Sequence, residues 1–253
     1  MSLIELLWPA FVLAILLVFI HTVFGLEIIR RGVIFTDLAI GQFAAVGLAV
    51  SVALFEGSYQ TLWTLGFALL AAVTIALSAR RVPHVEAFIG LLYALGIASM
   101  MLVLAQSSEG MELFNKLSAA DILFTMPEDL IKSFLIYGVI AAVMFLVYPK
   151  TSGIVRELIF FSALALTVTS SVQSAGVLVV FALLVAPSYA ATIQKSFKPL
   201  YFAWAFGSTA VIAALMLSYH FDLPTGYSII FCVVAATLFY VLIKSRPDPT
   251  VES

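Results

Sequence analysis

Charged residues are scarce in this sequence. Of its 253 residues, 10% are Asp, Glu, Lys or Arg and 63% are apolar, with a mean hydropathy of +1.16. An ordinary soluble domain is about 25% charged and about 45–50% apolar. A chain of this length cannot bury such an apolar excess inside one water-soluble globule. The composition therefore excludes a soluble enzyme or a secreted domain and predicts a protein of the lipid bilayer.

Cysteine and surplus positive charge are also lacking. Cys232 is the only cysteine and lies in an apolar run, so no disulfide framework is possible. Twelve Lys and Arg face fourteen Asp and Glu, and a net charge of -2 excludes a nucleic-acid binder. The sequence contains no nucleophile elbow, phosphate loop or His-Glu-x-x-His motif. We therefore expect no enzyme activity and no permanently bound cofactor, and any uphill transport would draw its energy from another protein.

Long apolar runs are abundant, and each predicts a helix because a helix satisfies the hydrogen bonds of its own backbone in lipid. No basic segment precedes the first run, which we keep as a span rather than a signal peptide. We expect one integral membrane domain over residues 1–253, with a short cytoplasmic tail at 244–253. The fold class is all-α, a polytopic transmembrane protein of eight to nine spans, of which the run 158–173 is the weakest. The nine runs are 6–29, 33–55, 61–79, 87–107, 131–149, 158–173, 176–193, 200–219 and 225–243.

Basic residues fall at every second connection, so ten of the twelve lie on one side of the bilayer. By the positive-inside rule that side is cytoplasmic, which with nine crossings places the amino terminus outside and the carboxyl terminus inside. Acidic residues concentrate on the other side, either as a solvated surface or as a field that attracts cations or a basic partner. The inner basic residues are Arg30, Arg31, Arg80, Arg81, Lys150, Arg156, Lys195, Lys198, Lys244 and Arg246. The outer acidic residues are Glu5, Glu56, Glu109, Glu112, Asp121, Glu128, Asp129 and Asp222.

Three polar side chains interrupt the first two runs and are candidate ligands of a translocated metal ion. Asp37, Gln42 and His21 lie about 9, 16 and 13 Å from the basic boundary at 1.5 Å per helical residue. Carboxylate and amide oxygens suit manganese, and imidazole suits zinc. Two other interpretations stay open: Asp37 pairs with Arg30 or Arg31, and His21 bonds to a neighbouring helix.

Two further features have weaker implications. His220 and Asp222 lie at the predicted outer mouth, where they either meet an incoming cation or end a helix. Pro187 lies inside the seventh run, where it removes a backbone donor and predicts a kink beside the pathway.

Five segments together resemble one family, in the family's order. Residues 25–39 contain an arginine pair and are similar to its "G/L-D-x-L-x-H" span start, and residues 85–96 to its "D-x-x-I-G-I" helix. Residues 121–130 resemble "G-D-I-L-x-V-S-P-E-D-L", residues 176–191 resemble "V-G-x-L-L-V-x-A-L-L-I-x-P-A-A-x-A", and residues 221–226 resemble "D-x-P-x-G". The family is that of the membrane permeases of ATP-binding-cassette importers for manganese, zinc and iron.

The resemblance implies a fold related to the siderophore and cobalamin permeases and a homodimer in the cell inner membrane. It implies alternating access, a cytoplasmic ATP-binding subunit, an extracytoplasmic metal-binding protein and a transported Mn, Zn or Fe ion. The alternatives are a permease of the same fold for an organic or chelated solute, and a non-transporting membrane assembly component.

The sequence departs from the family pattern at two places. Gly41 stands where the family usually has a metal-passing histidine, and Gln42 is the nearest polar residue. The link 149–157 replaces a longer cytoplasmic helix that docks on the ATPase in the family. Either this shortened link is a reduced coupling element that contacts the ATPase through Lys150, Gly153, Arg156 and Glu157, or the protein couples differently or does not couple to an ATPase.

Overall fold

Nine long helices account for the part of the chain that the structure, a computed structural model, describes: residues 3–106, 112 and 122–244. A short 3-10 turn, Ile122–Phe124, precedes α5. The carboxyl-terminal tail after residue 244 and most of the connection between α4 and α5 lie outside the described residues. The helices are α1 Leu3–Arg31, α2 Thr36–Phe55, α3 Gln60–Ser78, α4 Val85–Leu104, α5 Pro127–Ala142, α6 Gly153–Ala175, α7 Val177–Ile193, α8 Pro199–Phe221 and α9 Thr225–Lys244.

Eight segments are long and apolar enough to cross a membrane: seven of these helices, and α5 together with the turns that continue it to Lys150. The ninth, α7, is apolar throughout but has only 17 residues, which is about 25 Å of helix. The prediction of an all-helical polytopic membrane protein with eight to nine spans is confirmed. The weakest candidate for a membrane span is α7, however, and not the helix of the sixth run, because that helix, α6, extends over 23 residues. The polar end of α6 is accommodated inside the bundle because the buried Thr167 hydroxyl donates to the Ala163 carbonyl and the buried Ser171 hydroxyl is bonded to the His21 ring of α1.

The helices pack in two groups that meet along a seam. Helices α1, α7, α8 and α9 contact one another, as do α2, α3, α4 and α6. Contacts of α6 with α1 and α7, and of α2 with α7, join the groups, and α5 packs on α1 and α6. Glycines permit the closest approaches: a Cβ at Gly25 would overlap the Leu184 carbonyl oxygen of α7, and one at Gly47 would overlap the Trp63 carbonyl of α3. Small residues at helix crossings are the usual means of close packing in lipid.

The end of α5 is distorted at a proline. Residues Val143–Val147 form a π-helical turn in which the Tyr148 N–H donates to the Val143 carbonyl, and Tyr148–Lys150 form a 3-10 turn. Pro149 has no N–H to continue the α-helix, so the last turns are rearranged. The rearrangement leaves Tyr148 only 7% exposed at the start of the link to α6.

Candidate functional site

Asp37 is a buried carboxylate in the first turn of α2. It is 2% exposed, and its Oδ1 has no hydrogen-bond partner in the part of the chain that the structure describes. The alternative ion pair with Arg30 or Arg31 is not formed, since both guanidiniums bind Glu27 instead. A buried charge without a countercharge is costly, and in a membrane protein it indicates a functional position.

The residues that follow Asp37 on α2 point to different helices. A Cβ at Gly41 would lie 3.8 Å from Val168 Cγ1 of α6, whereas Gln42 packs on α4, where a Cβ at Gly96 would lie 2.9 Å from the Gln42 Cβ. Consecutive helical residues are rotated by about 100°, so Gly41, four residues after Asp37, shares its face and Gln42 does not. Gln42 is therefore not a positional substitute for a histidine at residue 41.

His21 lies in the seam between α1 and α6. Its ring is fully buried, with Nδ1 2.8 Å from the Leu17 carbonyl oxygen and Nε2 3.0 Å from the Ser171 hydroxyl. A carbonyl only accepts, so Nδ1 carries the proton, and in the neutral ring Nε2 accepts from Ser171. His21 thus bonds to the neighbouring helix α6, and both of its ring nitrogens are engaged.

A polar network closes one end of the bundle, which we call the basic end because Arg31, Arg80 and Lys150 lie there. Arg31 donates Nε–H to Glu27 Oε1 at 2.9 Å, forms an ion pair with Glu157 of α6 and donates to the Tyr148 hydroxyl at 2.7 Å. Tyr148 in turn donates to Glu27 Oε1 at 2.6 Å. The pairing of Glu27 with both arginines agrees with the i+3 and i+4 spacing.

Sequence reasoning missed Tyr148. Its only local signal is its position before Pro149, which predicts a helix boundary but not the side-chain contacts with Glu27 and Arg31. Those contacts join residues 117 and 121 positions apart.

The four link residues predicted to contact an ATPase differ in accessibility. Lys150 and Gly153 are exposed. Gly153 starts α6 with a φ of 61°, and a Cβ added there would lie 3.4 Å from Arg80 Nη1. Glu157 is bound to Arg31, and the Arg156 guanidinium lies 4.6 Å above the Tyr148 ring. The link is therefore a single turn that continues directly into α6, with its outer residues accessible.

The opposite end of the bundle holds His220 and Asp222. Asp222 ends α8 in the left-handed conformation (φ 51°), and its N–H donates to the Ser218 carbonyl. It borders a cavity of about 160 Å³ lined also by Phe11, Ser218 and Thr225. His220 packs edge-on against Phe221.

Pro187 lies inside the continuous helix α7 and is buried. Its ring fits against Gly207 of α8, where a Cβ would lie 3.0 Å from Pro187 Cγ. The proline is thus at the centre of the first helix group, where α1, α7 and α8 meet.

The model of the ABC 3 transport family matches residues 3–244, which includes all nine helices. The chain belongs to this family. The chain is similar to a manganese transport system membrane protein, MntB, of Synechocystis sp., which is 26% identical over 205 residues, 73% of this chain and 65% of that protein. A probable iron transport system membrane protein of Haemophilus influenzae is 36% identical over 100 residues, which is 38% of this chain and 36% of that protein.

Other comparisons with this ABC 3 family chain cover more of its length. The manganese transport system membrane protein MntC of Listeria monocytogenes is 23% identical over 89% of this chain and 85% of that protein. Among solved structures, PsaBC from Streptococcus pneumoniae in complex with Fab has a TM-score of 0.72 at 20% identity and covers 94% of this chain and 91% of the matched chain. The two chains share an all-helical polytopic fold.

In the described residues of this ABC 3 family chain, no group of three or more His, Cys, Asp and Glu side chains could hold a metal ion.

Proposed function

We propose that this chain is the membrane-spanning permease subunit of an ABC-type importer that carries a divalent transition-metal ion, Mn, Zn or Fe, inward. A separate cytoplasmic ATPase would supply the energy, and an extracytoplasmic metal-binding protein would deliver the ion to the end near His220 and Asp222. Two copies of the chain would form the transporter in the cell inner membrane. Family membership over residues 3–244 and the manganese and iron relatives support this function.

The observation that carries the proposal within the chain is the buried Asp37 carboxylate without a countercharge. A cation passing along α2 would compensate that charge transiently. His21 lies on the seam and Gln42 on the α4 side of α2, and both stay predicted contacts of the pathway. The basic end, with Lys150 and Gly153 exposed on the link, would face the cytoplasm and the ATPase.

Alternating access would follow from motion of the two helix groups against each other. Among the residues that the structure describes, the His21 bond to Ser171 and the Arg31 pair with Glu157 are polar contacts across the seam. The conformational change caused by ATP binding to the partner would pass through the short link to α6. This helix carries Ser171 and Glu157, the two residues that contact α1 across the seam. Pro187, packed in the first group, would ease bending of α7.

The test is uptake of radioactive manganese into vesicles that contain the permease, its ATPase and its binding protein. Asp37→Asn keeps the shape of the side chain and removes its charge, so we expect uptake to fall at least about tenfold, or about 1.4 kcal/mol in transition-state free energy. Glu128→Gln, an exposed change in the first turn of α5, is the matched control and should keep wild-type uptake.

Two results would contradict the proposal. Uptake that is unaffected by Asp37→Asn together with Gln42→Ala would show that the metal ion does not pass along these residues. Failure of any nucleotide-binding subunit to copurify would favour a membrane assembly component, and ATPase stimulation by a chelated solute but not by free metal would favour an organic or chelated substrate.

A further inference from the structure

A second acidic side chain lies beside Asp37. Glu86, in the first turn of α4, has Oε1 3.1 Å from the backbone N–H of Phe35, the residue that precedes α2. Phe35 is two residues before Asp37, so this hydrogen bond holds the Glu86 carboxylate at the turn of α2 that carries Asp37. The first turns of α2 and α4 therefore bring two carboxylates together at the basic end.

Each of these carboxylates has one buried oxygen without a partner. The oxygens are Asp37 Oδ1 and Glu86 Oε2, and neither acid forms an ion pair with any residue that the structure describes. The nearby basic residues on α1 are already bound, since Arg30 and Arg31 pair with Glu27 and Glu157. Asp37 is buried and Glu86 is half-buried, so two adjacent acids without a countercharge repel each other, and a shared cation removes that cost.

We propose that Glu86 is the second carboxylate ligand of the divalent cation held at Asp37, so that α2 and α4 together form one dicarboxylate position. The inference rests on the proposed function, because it assumes that a cation reaches Asp37. An all-oxygen donor set favours Mn²⁺ over Zn²⁺, which prefers nitrogen and sulfur. The absence of an imidazole on the same face, at Gly41, strengthens that preference.

The alternative role of Glu86 is purely structural: its carboxylate accepts a hydrogen bond from the Phe35 N–H at the start of α2. Glu86→Gln separates the two roles, because the amide oxygen still accepts that hydrogen bond while the negative charge is lost. Glu86→Asp keeps the charge on a shorter side chain. Glu128→Gln again serves as the control for loss of an exposed carboxylate.

The experiment titrates Mn²⁺ into the purified full chain in lipid nanodiscs and measures free Mn²⁺ by its EPR signal. We expect one site per chain, at least about tenfold weaker in Glu86→Gln and in Asp37→Asn, less weakened in Glu86→Asp and unchanged in Glu128→Gln. Because loss of the Glu86 charge relieves repulsion, the metal-free Glu86→Gln chain should unfold at the wild-type temperature or above it, which excludes misfolding as the cause of weaker binding.

The outcomes separate this inference from the proposed function. If Asp37→Asn weakens binding and Glu86→Gln does not, Glu86 is only a helix cap and the inference is wrong, while the metal path stands. If the wild-type chain binds neither Mn²⁺ nor Zn²⁺, the inference fails, and the uptake assay decides the proposed function independently.

Discussion

Tyr148 provides the sharpest test of how the basic end is held together. Tyr148→Phe removes only the hydroxyl and keeps the ring that packs 5.9 Å from the Phe160 ring and lies under Arg156. The hydroxyl donates to Glu27 Oε1 at 2.6 Å and accepts from Arg31 Nη2 at 2.7 Å. Both lost hydrogen bonds have a charged partner.

Hydrogen bonds to charged groups contribute about 1.5–3 kcal/mol each, so the two together set an upper limit of about 6 kcal/mol. The true loss is smaller because Glu27 and Arg31 keep their bond to each other at 2.9 Å. Their side chains are also 14% and 17% exposed, so water can replace part of the interaction. We expect Tyr148→Phe to lower the free energy of unfolding by about 2–3 kcal/mol.

The assay is equilibrium unfolding of the full chain in mixed detergent micelles, with Tyr201→Phe as the matched control. Tyr201 is 59% exposed, and among the described residues its hydroxyl has no hydrogen bond, so its variant should differ from wild type by less than about 0.5 kcal/mol. Because Tyr148 and Glu27 share the bond, the double variant with Glu27→Gln should be less destabilised than the sum of the single variants, by about 1 kcal/mol. Equal stability of Tyr148→Phe and Tyr201→Phe would refute the network as a stabilising element.

Two predictions concern helix packing. Gly47→Ala should destabilise the contact of α2 with α3 by about 3 kcal/mol, because the added methyl overlaps the Trp63 carbonyl, whereas Gly66→Ala, with nothing within 4 Å, should be neutral or slightly stabilising. Unfolding of both variants in the same detergent checks this, and equal stabilities would contradict the crossing. Ser171→Ala should cost about 1–3 kcal/mol by leaving His21 Nε2 without its partner. The double variant His21→Leu, Ser171→Ala should recover part of that loss, and no recovery would show that the bond is not the cause.

Whether the sequence predicts a feature of the structure depends on how far apart in the chain the interacting residues lie. All nine predicted runs correspond to helices, because a run of apolar residues has only one way to satisfy its backbone in lipid. The pairing of Glu27 with Arg30 and Arg31 was also predictable, since both partners lie on the same helical face. The lengths of α6 and α7 were not predictable, because the Thr167 hydroxyl finds an acceptor within α6 and the Ser171 hydroxyl finds one in His21 of α1, far away in the sequence.

The candidate site was less accessible to sequence reasoning. Asp37 stands out as a charge inside a span, and its importance needs no partner to be recognised. Glu86 does not stand out, because it follows a polar link, and only the arrangement of α2 and α4 brings it to Phe35. Glu157 looked accessible in the link but is bound to Arg31.

The sequence by itself determined the solvent of this protein, its helical class, the approximate bounds of its spans and the one acid that interrupts α2. These are properties of composition and of contacts within a few residues, for which chain order is sufficient. The tertiary structure alone decided which neighbour each polar group has: Ser171 for His21, Glu157 and Tyr148 for Arg31, and the Glu86 carboxylate for the start of α2. Those pairings join helices far apart in the sequence, and they depend on how the two helix groups pack, which the order of apolar and polar residues does not specify.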